Sequence, residues 1–336
     1  MKKLLTTISI LMVLLGFASC DALRSVNSSK RVSQGKPYEL IVVCNQPEWQ
    51  SPLGDTLRSV LSGYIPYLNQ EESTFSVVRV TEQGYKDLIA DHRNILEVNI
   101  NPGIAKSSVV VRYDVNSSPQ MIMTLQAPSI EAATEYVSEN RESLVRGIQI
   151  AERDRAVESA KIYNEAILGE AIYAKFGVEM KIPKGYTLRQ ESDNMLWISF
   201  EHSLASQGIA IYSYPAEFGV NSLSEEMLVE ARNEFVARIP GPSDGSYMTT
   251  YTESSQLYRP IRIEGRLWIE MRGFWDVAND FMGGPYVSYS TIDEATGNVF
   301  TIDCYVYSPK YGKRNYLHAL EHLVYNVKFE PTTSES

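Results

Sequence analysis

The chain is short of the residues that redox and covalent chemistry depend on. It has three cysteines in 336 residues. None has a C-x-x-C partner, which excludes thioredoxin-like redox chemistry. There is no G-x-S-x-G elbow, no P-loop and no G-x-G-x-x-G after a strand, so the common signatures of serine hydrolases and nucleotide binders are missing. The apolar run at 8–17 falls well below the roughly 20 residues that a membrane-spanning helix needs. Basic charge is also scarce: 31 Lys and Arg face 41 Asp and Glu, a net charge of −10. That balance excludes nucleic acid and anionic lipid surfaces as default partners. No internal repeat is present.

What is present begins at the N-terminus. MKKLLTTISILMVLLGFASC has a basic start, a short apolar stretch and small residues before a cysteine. This is the plan of a secretory leader. Phe17-Ala18-Ser19-Cys20 resembles a bacterial lipobox, which implies cleavage before Cys20 and a diacylglycerol and acyl chain on its thiol. Two or three acyl chains suffice for stable attachment. The lipid is the only non-protein group expected; no cofactor or metal is. Residues 21–36 read as a solvated tether. Removal of the leader takes Lys2 and Lys3, leaving 29 basic against 41 acidic side chains. The expected location is the cell envelope, lipid-anchored, outer membrane favoured, facing the periplasm rather than the cell surface.

Periodicity divides the remainder. YELIVVCN, FSVVRVT and NILEVNI read as strands, with helical spacing at 53–69 and 85–92 between them. SVVVRYDV and QMIMTLQA form a hairpin. Residues 37–128 are therefore expected to form an N-terminal α/β domain with a mixed sheet. Ser129 can cap a long connecting helical region, 129–177, which contains no proline over 130–176. This region is one helix or two abutting ones, with Gly147 the expected kink. Residues 178–330 alternate as strands with helices opening at Ser224 and near Asn315, an α+β domain with an antiparallel sheet. A polar tail, 331–336, follows. The fold class is thus α+β. Cys44 and Cys304 each sit in an apolar strand, and the expectation is two buried thiols in separate cores.

Two resemblances follow from particular residues. Ile182-Pro183-Lys184-Gly185-Tyr186, the Trp197 strand and the closing YVYSPKYGKRNYLHALEHLVYNVKF resemble the PsbP-like sandwich, which implies a binding and assembly scaffold. The lipobox, the NILEV strand after Arg93 and the Lys313-Arg314-Asn315-Tyr316 approach to the last helix resemble an uncharacterised envelope lipoprotein family of Gram-negative anaerobes, a domain of unknown function. That family implies location and architecture and supplies no catalytic residue.

One stretch spells a catalytic signature. His318-Ala319-Leu320-Glu321-His322 is H-x-x-E-H, the pattern of inverted zinc peptidases. At helical spacing Tyr316, Leu317, Leu320, Leu323, Val324 and Val327 share one arc, while His318, Glu321, His322 and Tyr325 share the opposite one. His318 and His322 can share a metal, but a catalytic zinc needs a third ligand and an open position. Only fourteen residues follow His322, and Glu330 and Glu335 lack a helical frame there. The expected reading is a solvent-facing ridge. Asp276, Asp280, Asp293 and Asp303 read as the wet face of the late strands. FWDVANDFMGGPY, 274–286, reads as a long loop whose Trp275 and Phe281 beside Gly283-Gly284 can form a binding lip. Tyr307, Lys310, Tyr311, Lys313 and Arg314 form a basic–aromatic loop, the expected contact for an envelope protein partner. The function expected is a non-enzymatic binding or assembly factor. The alternatives are a metal-dependent hydrolase built on His318, Glu321 and His322, and a small-ligand binder between the domains.

Overall fold

The structure is a computed structural model and describes residues 30–330. The expected leader, Cys20, most of the expected tether and the polar tail lie outside the described residues. The chain divides into two compact units, one of residues 30–62 and 75–148, the other of 63–74 and 149–330.

The first unit is built on a five-stranded mixed sheet. The strands of this unit are β1 (Arg31–Val32), β2 (Glu39–Val43), β3 (Ser76–Val80), β4 (Asn94–Ile100), β5 (Ser108–Tyr113), β6 (Ser117–Ser118) and β7 (Met121–Ala127). The sheet order is β3-β2-β4-β7-β5, with β1 and β6 paired separately. β2, β3, β4 and β7 run parallel, and β5 returns antiparallel along β7. Leu40 to Val43 are all buried. A strand at the centre of a covered parallel sheet has no wet face, hence its unbroken apolar run. After the short α1 (Gln46–Trp49), α2 (Pro52–Leu61) starts where the Ser51 hydroxyl accepts from Leu53 N. It buries Leu53, Leu57 and Leu61. In α3 (Ile130–Glu139) the Ser129 hydroxyl accepts from Ala132 N, the expected cap.

Three expectations need correction here. The helix expected over 53–69 ends at Leu61, and residues 63–74 belong to the second unit. The helix expected at 85–92 is two 3-10 turns, Glu82–Gly84 and Asp87–Ile89. Asp87 has φ of +53°, a left-handed residue that no α-helix accommodates. The helical region breaks at Asn140, while Gly147 lies inside the continuous α4 (Arg141–Ile162). A Cβ at Gly147 would lie 2.5 Å from Met123 Cε, the mobile end of a flexible side chain. The first unit extends along α4 to Ile148, and the remainder of the helix belongs to the second.

The second unit contains α5 (Ala166–Phe176), β8 (Val178–Glu179), β9 (Thr187–Ser192), β10 (Met195–Glu201), β11 (Ser206–Pro215), α6 (Glu225–Val236), β12 (Tyr247–Thr250) and β13 (Leu257–Ile263). They are followed by β14 (Arg266–Ala278), β15 (Gly283–Asp293), β16 (Asn298–Tyr307), α7 (Arg314–Val324) and β17 (Lys328–Phe329). Its curled antiparallel sheet runs β12-β14-β15-β16-β11-β10-β9, and β13 pairs with the first half of β14. Both faces of this sheet are covered. Phe300, Ile302, Cys304 and Val306 of β16 pack with Leu168 and Ile172 of α5 and Leu317, Leu320 and Leu323 of α7. Val299 and Tyr305, of opposite parity, pack with Leu228, Phe235 and Val236 of α6. The architecture is α+β: a mixed-sheet unit, a helical connector of α3 and α4, and an antiparallel-sheet unit. Cys44 and Cys304 are buried free thiols, one in each unit. Burial pushes the Cys44 thiol up to about 11 and the Cys304 thiol well above its usual value, so neither offers a thiolate at neutral pH. No helix among the described residues is long and apolar enough to cross a membrane.

Candidate functional site

The start of α7 is held from outside the helix. Lys313, its N-cap residue, provides no side-chain cap. The Glu72 carboxylate takes that place, accepting from Lys313 N at 2.6 Å and from Arg314 N at 3.1 Å. An anion on the first free N–H groups of a helix also meets the positive end of its dipole. The Arg314 guanidinium donates to Ser73 O at 2.7 Å. Lys313 and Arg314 are therefore buried rather than presented to a partner, which corrects two members of the expected contact loop. Their neighbours Lys310 and Tyr311 are exposed, and Tyr307 is intermediate. Replacing Glu72 with Gln should destabilise the second unit by about 1 kcal/mol, the usual worth of a helix cap. Urea unfolding of the two proteins measures this directly, and equal midpoints would deny Glu72 its capping role.

One turn further on, the expected ridge turns out to be buried. His318, Glu321 and His322 are each less than one-tenth exposed (8, 6 and 7%). The apolar arc does pack on the sheet, as the spacing requires. The opposite arc is covered as well, however. Arg272 of β14 reaches the Glu321 carboxylate, with Nη1 2.6 Å from Oε1. His318 Nδ1 lies 2.9 Å from the other oxygen, Oε2. Beyond Arg272 the chain of charges continues through Glu270, whose second oxygen lies 2.7 Å from Arg259 Nη2. Arg153 of α4 stacks 4.4 Å over the Tyr325 ring at the end of α7. Periodicity showed which residues oppose the leucines, but not whether that side meets water.

This arrangement decides what HALEH can do. Both oxygens of Glu321 are engaged, one by a guanidinium and one by an imidazole. Burial alone would raise its carboxyl, but Arg272 and His318 overcome that and hold it well below the usual carboxylate range. Such a carboxylate is a poor proton acceptor, unlike the poised base of a hydrolase. The His318 and His322 rings lie parallel, with centroids 6.2 Å apart. Among the described residues no group of three or more His, Cys, Asp or Glu is placed to hold a metal ion.

The expected wet-face aspartates separate into different roles. Asp303 is fully buried and ion-paired with Arg232 of α6, also fully buried, Oδ2 to Nε at 2.7 Å. Arg232 Nη2 lies 3.2 Å from Asp303 Oδ1, Nη1 donates to the Thr250 hydroxyl at 2.7 Å, and the guanidinium lies 3.7 Å over the Tyr286 ring. Asp293, also buried, accepts from Ala295 N and the Thr296 hydroxyl and shapes the β15–β16 turn. Asp276 accepts from Val277 N, and Asp280 from Phe281 N. These four aspartates thus have separate partners.

The expected long loop at 274–286 is the hairpin joining β14 to β15, with only Asn279–Met282 outside the strands. Trp275 is buried in the α6-side core and donates to Val306 O at 3.2 Å, so it forms no binding lip. Gly284 is required by close approach rather than flexibility: its Cβ would lie 2.1 Å from Val306 O. Phe281, at the hairpin tip, is fully exposed.

Sequence reasoning missed Arg232, Arg272, Glu270 and Glu72. A signal for two of them was present. Glu270 and Arg272 are opposite charges two residues apart, on the same face as the core residue Trp268. A cavity of about 250 Å³, lined in part by Glu165, Glu170, Glu179 and Lys181, opens between the start of α5 and β8. Glu170, Glu179 and Lys181 face solvent there.

No curated protein matches the chain. Among solved structures, it is similar to the Ran-binding protein Mog1p of Saccharomyces cerevisiae, at 8% identity and a TM-score of 0.31, over 47% of this chain and 94% of that one. A variant of protein Mog1 gives 8% identity and a TM-score of 0.30, over 46% and 92%. The human StarD13 lipid transfer and protein localization domain gives 10% and 0.22, over 48% and 97%. Residues 33–161 match one domain of unknown function (DUF8532) and residues 166–326 match another (DUF4837), so the chain contains two domains of unknown function.

Proposed function

We propose that the chain is a lipid-anchored protein of the cell envelope, held in a membrane by acyl chains on Cys20, and that it works as a binding or assembly factor. The observation that carries this reading is Phe17-Ala18-Ser19-Cys20 directly after the apolar stretch of the leader. The outer membrane with a periplasmic orientation is the favoured location, and the partner is an envelope protein. The burial of the HALEH polar groups in an ionic chain supports a structural role for that helix. Exposed Lys310 and Tyr311, with Tyr307 beside them, and Phe281 at its hairpin tip are the partner-facing candidates. We read the second unit as a PsbP-like scaffold, on the support of the Ile182–Tyr186 segment, the Trp197 strand and the closing strand, loop and helix.

The test is fractionation of a bacterial host expressing the full chain. The wild type should sediment with membranes and give an N-terminal peptide at Cys20 carrying the mass of its acyl groups. Cys20→Ser should move at least ten-fold into the soluble fraction. A Cys20→Ser protein that sediments like the wild type would end this reading.

A further inference from the structure

The first sheet has one end at which its parallel strands begin, formed by the starts of β2, β4 and β7 and the finish of β5. The described chain enters at that end. Lys30 donates to Asp114 O, and Arg31 and Val32 pair in parallel with Ser117 and Ser118. Four large exposed apolar residues lie on the segments that meet at this end. Val32 is 73% exposed, Leu88 69%, Tyr113 66% and Val115 43%. Leu88 comes two residues before Ala90, whose carbonyl accepts from Asn116 Nδ2 at 3.0 Å and Gln120 Nε2 at 2.7 Å. Scattered exposed apolar residues are ordinary, but a group of four at one end of a sheet points to an interaction surface.

Resting on the lipid-anchored reading above, we propose that this end of the first unit lies against the bilayer that holds Cys20. Three observations select a bilayer over other occupants. Nine residues lie between Cys20 and Lys30, a reach of at most about 35 Å even when fully extended. The anchor therefore keeps this end, more than any other part of the unit, at high effective concentration near the membrane surface. Charges here are paired: Arg31 with Asp91 and Arg112 with Glu97, while Lys30 donates to Asp114 O, in a chain of net charge −10. The patch thus escapes the repulsion that acidic surfaces elsewhere on the chain would feel. The side chains themselves also suit the interface, since Tyr113 offers an apolar ring with a polar tip and the three aliphatics can enter the boundary between headgroups and acyl chains.

The experiment uses the lipidated full chain in phosphatidylcholine vesicles, with an environment-sensitive fluorophore on a single introduced cysteine. Cys44 and Cys304 are buried, so labelling is confined to the new thiol. Tyr113→Cys places the label at the proposed surface. Lys106→Cys places it past the opposite end of β5, about 20 Å away at strand spacing. Brominated phosphatidylcholine should quench the label at 113 at least threefold more than the label at 106, with a blue-shifted emission at 113 alone. Equal quenching at both positions, or none at either, in a chain that floats with the vesicles would overturn the inference and leave the anchored reading intact. A chain that does not float overturns both. A label at 113 that stays aqueous on vesicles but is shielded as protein concentration rises assigns the β5 edge to a second copy and overturns the inference as well.

Discussion

Asp303→Ala should destabilise the second unit by about 3–5 kcal/mol, the largest single effect expected in this molecule. Asp303 and Arg232 are both completely buried, and the guanidinium grips the carboxylate with two N–H groups at 2.7 and 3.2 Å. Removing the carboxylate leaves a charged guanidinium in the core, with only the Thr250 hydroxyl and the Tyr286 ring for company. Arginine does not escape by losing its proton, because its guanidinium stays protonated inside proteins. Urea unfolding followed by the fluorescence of buried Trp268 and Trp275 gives the measurement. The double variant Arg232→Met, Asp303→Leu provides the decisive comparison. Taking both charges away removes the stranded-ion penalty, so the double variant should be clearly more stable than Asp303→Ala. A single variant costing under 1 kcal/mol, or a double variant less stable than the single, would show that the pair does not act as a buried unit.

Glu321→Gln should cost about 3 kcal/mol at neutral pH, and the cost should shrink in acid. The sign follows from the direction of the shift. The Glu321 carboxyl is held well below its ordinary value of 4.5 in the folded protein, by Arg272 and His318 working against burial. A group whose folded pKa is depressed contributes stability that is fully present above the unfolded pKa. That contribution declines as pH falls below 4.5 and is gone once pH passes the folded value. The wild type should therefore lose stability below pH 4.5 faster than Glu321→Gln does, and the two curves should converge. Stability profiles from pH 7 down to pH 3 test this. Parallel profiles would mean that the Arg272–Glu321 contact contributes nothing through its charge. Because Glu270 still reaches Arg272 and Arg259 in the variant, Glu321→Gln should fold and remain measurable.

The legible and illegible parts of this protein divide on physical lines. β2 was readable because a strand covered on both faces must be apolar throughout, and that demand is written in the consecutive residues Leu40 to Val43. α6 was readable from its cap, with the Ser224 hydroxyl accepting from Met227 N as the sequence suggested. HALEH was half readable: the leucine arc is a local property of one helix and packs where expected. Whether the histidine arc meets water depended on β14, which supplies Arg272 from 49 residues away. Asp303 failed for the same reason. Alternation along β16 separates two faces, and reading the polar one as wet assumes that only one face is covered. Here α6 covers the second face and brings Arg232 from 71 positions away.

The sequence by itself determined the main strands and the division into a mixed-sheet part and an antiparallel-sheet part, because each of these rests on composition or on periodicity within a few turns of chain. Only the tertiary structure decided that residues 63–74 join the second unit, that Glu72 caps the last helix, and that Glu321 and Asp303 are buried. A charge enters a protein interior only when an opposite charge waits there, and in these cases that opposite charge, or the helix end that stands in for one, comes from a distant part of the chain.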